Sequence, residues 1–323
     1  MAKLEDLTAC LRRLHEQLPT LTLDPQKDRD NDVSPEASTY LEHYGLVRLT
    51  AKEQALHSLG ALPLGGYSIA CQYWLPPAPV GTVFVLHGYF DHMGLYGHLF
   101  DYLLKQNLVV VAFDLPGHGL SDGERVTIAS FDHYVDIFDA LLALAFEHLP
   151  QPWHGVGQST GGAILLKHLL EEKSGASLFS RVALLAPLLH PRHWPGNRLV
   201  YFFAHRFLNS IQRHFTQNSG DPAFVEFVAH RDPLQATRIP MEWIGSMKRW
   251  TEEFHHLSPS DFPLTIIQGD RDRTLDWRYN LKEFQKKLPK ASIRIIPGAQ
   301  HHLANERETL RADIFNSLGL ARD

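Results

Sequence analysis

The chain has 323 residues, 44% of them hydrophobic, with a formal net charge of −5 and 20 histidines scattered along it. That length suits roughly two domains, and with no run of five or six like charges an electrostatic grip on nucleic acid is excluded. Two cysteines, Cys10 and Cys71, form no CxxC pair; they read as small buried apolar residues and require no oxidising compartment.

Leu4, Leu7, Leu11, Leu14 and Leu18 recur at helical spacing among mixed charges, which predicts an amphipathic helix packed on its own domain. The N-terminus lacks the apolar core of a signal peptide, and no stretch approaches the roughly 18 apolar residues that span a bilayer, so a cytoplasmic protein is expected. Residues 24–37 are polar with two prolines and read as an extended arm, so residues 1–60 form an N-terminal helix and arm.

From about residue 62 short apolar runs alternate with helical patterns. YSIACQYW, TVFVLH, LVVVAFD, WHGVGQ and RVALLAP read as strands, and PLTIIQG and SIRIIPG follow late. The segments between them, such as FDHYVDIFDALLALAFEHL and GGAILLKHLLEEK, have helical period. Strands and helices in this alternation imply an α/β architecture with a mostly parallel central sheet flanked by helices. Residues 190–256 break the rhythm and read as a mostly helical cap inserted before the late strands. The core is then 61–189 together with 257–323.

Gly157-Gln158-Ser159-Thr160-Gly161 is a G-x-S-x-G that follows one strand-like run and opens a helical one. A serine nucleophile needs this tight strand-to-helix turn, whose flanking glycines avoid backbone clashes. Its acid and base partners should follow in chain order after late strands. Asp270 and Asp272 lie after PLTIIQG, and His301 and His302 lie after SIRIIPG; physics alone leaves both pairs open. An oxyanion hole requires two backbone N–H donors, here Thr160 after the nucleophile and Tyr89 in the loop after TVFVLH. His87, at the end of that strand, reads as structural.

Three stretches carry a resemblance to the monoacylglycerol lipase and lysophospholipase group of α/β-hydrolases, also described as serine aminopeptidase-like. HGYFDHMGLY (87–96) resembles the family's HGxxEHSGRY, with Asp91, Met93 and Leu95 departing. DLPGHGLSDGER (114–125) resembles DxxGHGxSxGER, and GQSTGG (157–162) resembles GHSMGG, with Gln158 and Thr160 departing. The likeness runs from about residue 65 to the C-terminus and is weakest in the cap.

The resemblance implies an α/β-hydrolase fold. Its G-x-x-D and G-x-x-H patterns match Gly269 to Asp272 and Gly298 to His301, which makes Ser159, Asp272 and His301 the implied catalytic triad. Asp-Pro-Leu at 232–234 also looks like a family feature, and Asp114, His118 and Ser121 read as parts of a structural turn. The implied activity is hydrolysis of single-chain lipid esters through an acyl-enzyme, which calls for no metal or organic cofactor. An aminopeptidase using Glu226 or Glu242, or a non-catalytic binding protein, are the alternatives. Substrate contacts are expected from Phe202, Phe203 and Phe207 in an apolar cap helix. The cap's eight Arg or Lys against six Asp or Glu are too small an excess to demand an anionic head group. The expected partner is a small-molecule or lipid ester, with transient contact to a membrane surface left open.

Overall fold

A computed structural model of the chain describes residues 2–28, 34–49, 55–171, 177–194, 196, 201 and 205–320. Eight strands form one sheet in the order β1-β2-β4-β3-β5-β6-β9-β10. They are β1 (Leu56–Leu64), β2 (Tyr67–Leu75), β3 (Gly81–Leu86), β4 (Leu108–Phe113), β5 (Trp153–Gln158), β6 (Phe179–Leu185), β9 (Thr265–Gly269) and β10 (Ser292–Ile296). The β1–β2 and β2–β4 pairings are antiparallel and all the others parallel. The mostly parallel α/β architecture expected from the alternating runs is the one observed.

Every residue of β3, β4 and β5 is buried. The apolar runs of β3 and β4 fit strands covered by helices on both faces. On one face Phe84, Leu86, Val109 and Val111 pack with α4 (Phe131–Phe146) and α5 (Thr160–Glu171). On the other, Val83, Val85, Val110 and Ala112 pack with α1 (Ala2–Gln17), α2 (Pro35–His43), α3 (Gly97–Leu104) and the last helix described (Glu308–Asn316). The chain goes from β3 outward to β4 and then returns to β5 on the other side of β3. That reversal opens a crevice beyond the C-terminal ends of β3 and β5, where ligands bind in such sheets.

The N-terminal helix is present, with Leu11 and Leu14 buried. The arm is more structured than its composition suggested: α2 occupies residues 35–43, and the Asp28 side chain is buried, accepting hydrogen bonds from Thr22 and Tyr73. The expected core boundary at residue 61 falls inside β1. Gly60 and Pro63, both disfavoured in strands, mask β1 in the sequence. They fit here because β1 is an edge strand, where proline is tolerated, and because residues 19–21 cross it closely. Ala61 N–H donates to Pro19 O (2.8 Å) and Leu21 N–H to Ala61 O (2.9 Å), and a Cβ on Gly60 would strike Pro19 O.

Between 190 and 256 lie α6 (Pro222–His230), α7 (Met241–His256) and a separate two-stranded sheet, β7 (Ser210–Gln212) with β8 (Arg238–Pro240). The apolar cap helix expected around Phe202, Phe203 and Phe207 does not continue through Phe207: residues 205–207 turn, and Ile211 sits in β7. Buried Lys167 on α5 ties α7 to the core: its Nζ lies 2.7 Å from Asp132 on α4, 2.6 Å from Glu171 on α5 and 3.3 Å from Glu253 on α7.

Candidate active site

Ser159 joins β5 to α5 with φ 53°, in the left-handed region that a non-glycine residue rarely adopts. Its neighbours hold it there. Ser159 N–H donates to Leu185 O (2.8 Å), while Ser159 O accepts from Ala163 N–H and Leu188 N–H (3.0 Å each). A Cβ on Gly157 would meet Gly161 O at 2.5 Å, and one on Gly161 would strike the Leu86 carbonyl. Both flanking glycines therefore allow the chain to pass itself at backbone distance.

His301 Nε2 lies 3.0 Å from Ser159 Oγ, and His301 Nδ1 lies 2.8 Å from Asp272 Oδ2. Burial favours a neutral Asp272, but the His301 charge and hydrogen bonds from His301, Leu275 N–H and Gln268 outweigh it and hold the acid below the ordinary carboxylate value. An ionised carboxylate only accepts, so Nδ1 carries the proton and Nε2 turns its lone pair to the serine. Burial alone would lower His301; the charge and hydrogen bond of Asp272 prevail and raise it. Asp270 is committed elsewhere, its Oδ1 accepting from Gly298 N–H at 2.7 Å. His302 Nε2 approaches Asp91 Oδ2 at 3.1 Å.

The loop after β3 comes close to Ser159. A Cβ on Gly88 would lie 3.4 Å from Ser159 Cβ and 2.8 Å from Asp91 Oδ2. Among the described residues no hydrogen bond engages the Tyr89 N–H or the Thr160 N–H, so both donors remain available at this loop and at the first turn of α5. His87 is structural: its Nε2 accepts from Leu115 N–H (2.8 Å), which leaves Nδ1 to donate to Gly88 O (2.8 Å). Asp114 likewise holds a turn, accepting from Met93 N–H and Leu120 N–H at 2.7 Å each. Asp232 is buried against His92 (3.1 Å) and accepts from Tyr44 Oη (2.7 Å), which ties the arm, the β3 loop and the 190–256 segment together.

Several positioning residues escaped the sequence reading. Gln158 departs from the family's elbow, and its side chain spans two loops: Nε2 donates to His301 O (3.0 Å) and Oε1 accepts from Leu303 N–H (3.1 Å). The departure itself was the available signal. Gln268 Nε2 donates to Asp272 Oδ2 (3.0 Å), and Thr274 and Leu275 N–H groups donate to Oδ1 (2.8 and 3.0 Å). Trp243 of α7 stacks on Tyr89 with centroids 3.5 Å apart and planes 13° apart, which docks the 190–256 segment on the β3 loop.

Ser159 and His301 open onto a cavity of about 420 Å³, lined largely by apolar side chains including Leu188, Trp194, Met241, Trp243, Ile244 and Met247. Of the expected substrate contacts, Phe202 and Phe203 lie outside the described residues, and Phe207 stands 85% exposed and does not join the lining. Residues 205–207 form a turn rather than a helix turned toward the cavity, which leaves Phe207 outside. A more open depression of about 580 Å³ lies beyond Asp272, beside Arg271, Arg273 and Arg278; it contains neither Ser159 nor His301. Among the described residues, no helix is long and apolar enough to cross a membrane, and no cluster of three or more His, Cys, Asp or Glu could hold a metal ion.

Residues 77–308 match the family described as serine aminopeptidase, S33. The chain is 32% identical over 278 residues to a monoacylglycerol lipase of Mycolicibacterium smegmatis, covering 80% of this chain and 94% of that one. It is 26% identical over 271 residues to the human monoglyceride lipase, covering 79% and 86% respectively. A soluble variant of the Saccharomyces cerevisiae monoglyceride lipase, solved with a substrate analog, superposes with a TM-score of 0.67 at 19% identity over 80% of this chain and 93% of the other. With its eight-stranded sheet, its nucleophile-type turn and this breadth of match, the chain belongs to the serine aminopeptidase S33 family of hydrolases and has the α/β-hydrolase fold.

Proposed function

We propose that the protein hydrolyses single-chain carboxylic esters, of the monoacylglycerol or lysophospholipid kind, through a Ser159 acyl-enzyme. The observation that carries this reading is the Ser159–His301–Asp272 hydrogen-bonded series opening onto a largely apolar cavity. Its volume falls within the roughly 300–1,000 Å³ common for small-molecule sites. Ser159 Oγ attacks the ester carbonyl as its proton passes to His301 Nε2. Asp272 fixes the imidazole tautomer and stabilises the imidazolium. The carbonyl oxygen becomes an oxyanion, to which the Tyr89 and Thr160 N–H groups donate. As the tetrahedral intermediate collapses, the C–O bond breaks and the alcohol leaves with the proton from His301. Water, deprotonated by the same imidazole, then releases the fatty acid and restores Ser159.

An aminopeptidase would need a free carboxylate in the cavity to bind a peptide's amine. Neither Glu226 nor Glu242 lines it. Asp91, the one acid in the lining among the described residues, is already engaged by Tyr96 Oη (2.8 Å) and His302. A fluorophosphonate probe, together with an ester panel, tests the proposal. Wild-type protein is expected to be labelled at one serine and to cleave medium-chain esters faster than aminoacyl amides, and Ser159→Ala to lose both activities while keeping its thermal midpoint. Labelling that survives in Ser159→Ala rules out the assignment.

A further inference from the structure

Arg213, just beyond β7, is the one Arg or Lys lining the cavity among the described residues. Its guanidinium is sandwiched between two rings, with Cζ 3.8 Å from the Phe90 centroid and 4.2 Å from the Phe215 centroid. Phe90 itself has φ 68°, an unusual backbone for an aromatic residue, and it directly follows Tyr89 in the loop that approaches Ser159. Nη1 donates to Gln235 Oε1 (2.8 Å) and Ala236 O (3.0 Å), which fixes the plane of the group. Nε and Nη2 make no hydrogen bond within the described residues, and no carboxylate lies within ion-pair distance of the guanidinium. Asp91, the nearest acid in the lining, is held by His302 and Tyr96.

Phe90, Phe215 and the more distant charges of Asp91 and Asp232 offset part of the burial of this half-buried, immobilised cation, but none of them is a direct carboxylate partner, so its charge stays available to an anion. Burial lowers its pKa to about 10, which still leaves it charged at neutral pH. Two free donors of a planar fork match the two oxygens of a phosphate or carboxylate. Much of the rest of the wall, with Trp194, Trp243, Ile244 and Met247, is apolar and suits an alkyl chain, while His214, Thr216 and Asn218 add polar groups beside Arg213.

We infer that Arg213 is the head-group receptor of this cavity, and that the ester it takes carries an anionic phosphate on its alcohol side. The inference rests on the ester-hydrolase reading for the word ester, but the anion site stands on its own geometry. Position supports the alcohol side. Arg213 stacks on the residue next to the expected oxyanion donor, so an anion there lies near the reacting carbonyl and away from the end of an acyl chain. A glycerophosphate head group has the short spacer this requires. The segment's small excess of basic residues gave no hint of this, because one placed guanidinium matters more than the count.

The test uses binding and turnover together. Decyl phosphate, decanol and decanoate are titrated calorimetrically into wild-type, Arg213→Gln and Arg213→Lys protein, with thermal midpoints measured alongside. The values of kcat/KM are compared for a lysophosphatidate and a monoacylglycerol of the same acyl chain. Wild-type protein is expected to bind decyl phosphate at least about tenfold more tightly than decanol, and Arg213→Gln to erase that difference. The lysophosphatidate-to-monoacylglycerol ratio of kcat/KM should fall about 10- to 100-fold in Arg213→Gln, with Arg213→Lys in between. Equal wild-type affinity for decyl phosphate and decanol overturns the inference, and this comparison needs no variant to fold. So does a phosphate preference that survives in folded Arg213→Gln. A preference for decanoate alone would make Arg213 a reader of the fatty-acid product and also overturns it. Arg213-dependent phosphate binding by a protein that cleaves no ester keeps the anion site and removes the hydrolase reading.

Discussion

Around Ser159 the backbone is held from every side: β5 ends just before it, α5 begins just after it, and its own N–H and carbonyl bond to Leu185, Ala163 and Leu188. The segment from 205 to 256 borders the same cavity with strands of three residues, one long helix and side chains that are mostly half-buried or exposed. In the first region, close backbone contacts leave one arrangement. In the second, a few side-chain anchors do the holding, chiefly the Tyr89–Trp243 stack, the Lys167 cluster and the Asp232 pair. The contrast separates chemistry from selectivity: changes in the first region should alter turnover for every substrate, and changes in the second should alter which substrate is preferred.

The largest effect expected from breaking that contrast lies in the rigid region. Asp272→Asn and His301→Ala should each lower kcat by about three orders of magnitude or more for short and long esters alike. Asp270→Asn, whose carboxylate accepts from Gly298 N–H rather than from His301, should cost far less. If Asp270→Asn proves as damaging as Asp272→Asn, the acid has been assigned to the wrong residue.

A smaller and selective effect is expected from α7. Met247→Ala removes apolar lining, and each buried methylene contributes up to about 0.8 kcal/mol. The preference for a long over a short acyl chain should therefore weaken by roughly five- to thirtyfold in kcat/KM, while Phe207→Ala, outside the lining, should leave the ratio within about twofold. Uniform losses that track the thermal midpoint would make α7 plain packing.

The subtlest expectation concerns pH. His301 must be neutral to accept the serine proton, and Asp272 raises it above its ordinary value of 6.5. The acid limb of kcat/KM should accordingly lie above about 6.5, and in the residual activity of Asp272→Asn it should move down. The stability linkage runs the other way. A histidine raised in the folded state adds stability that is present below its unfolded value and is lost as pH rises through the folded one. The catalytically competent form is thus the less stabilised one, and a pH titration of the thermal midpoint should show it. An acid limb below 6.5 in the wild-type enzyme would contradict the raised base.

How much of this was legible in the sequence follows the same divide. Strands β3 and β4 could be read because strands buried on both faces are apolar nearly throughout, β2 from its alternation, and the turn at Ser159 because its glycines have no substitute. The positions of an acid and a base could be read from topology, but Asp270 and Asp272 are two residues apart and His301 and His302 adjacent. Topology does not separate them, and only the G-x-x-D and G-x-x-H patterns of the family resemblance pointed to Asp272 and His301. Strand β1 was hidden by Gly60 and Pro63, whose places depend on residues 19–21 some forty positions away. The cavity wall was illegible because β7, β8 and their connections follow no period. An apolar run there suggested a helix facing the substrate, whereas Phe207 faces solvent and Trp243, Ile244 and Met247 face the cavity. Arg213 carries no sequence signal at all, since its role depends on what it lacks as partners.

The Gln158 side chain has a further consequence for how the protein comes into being. It joins the strand before the nucleophile to a loop 143 residues later, and the Ser159–His301 contact spans 142. On the proposed mechanism Ser159 is made during synthesis long before its base, and the turn at Ser159 can form while no imidazole exists to activate it. A nascent chain is then expected to be chemically silent until residues beyond 300 have left the ribosome and β10 has joined the edge of the sheet. Esterase activity in a translation reaction would then report completed folding, with a lag set by closing the longest loop in the site.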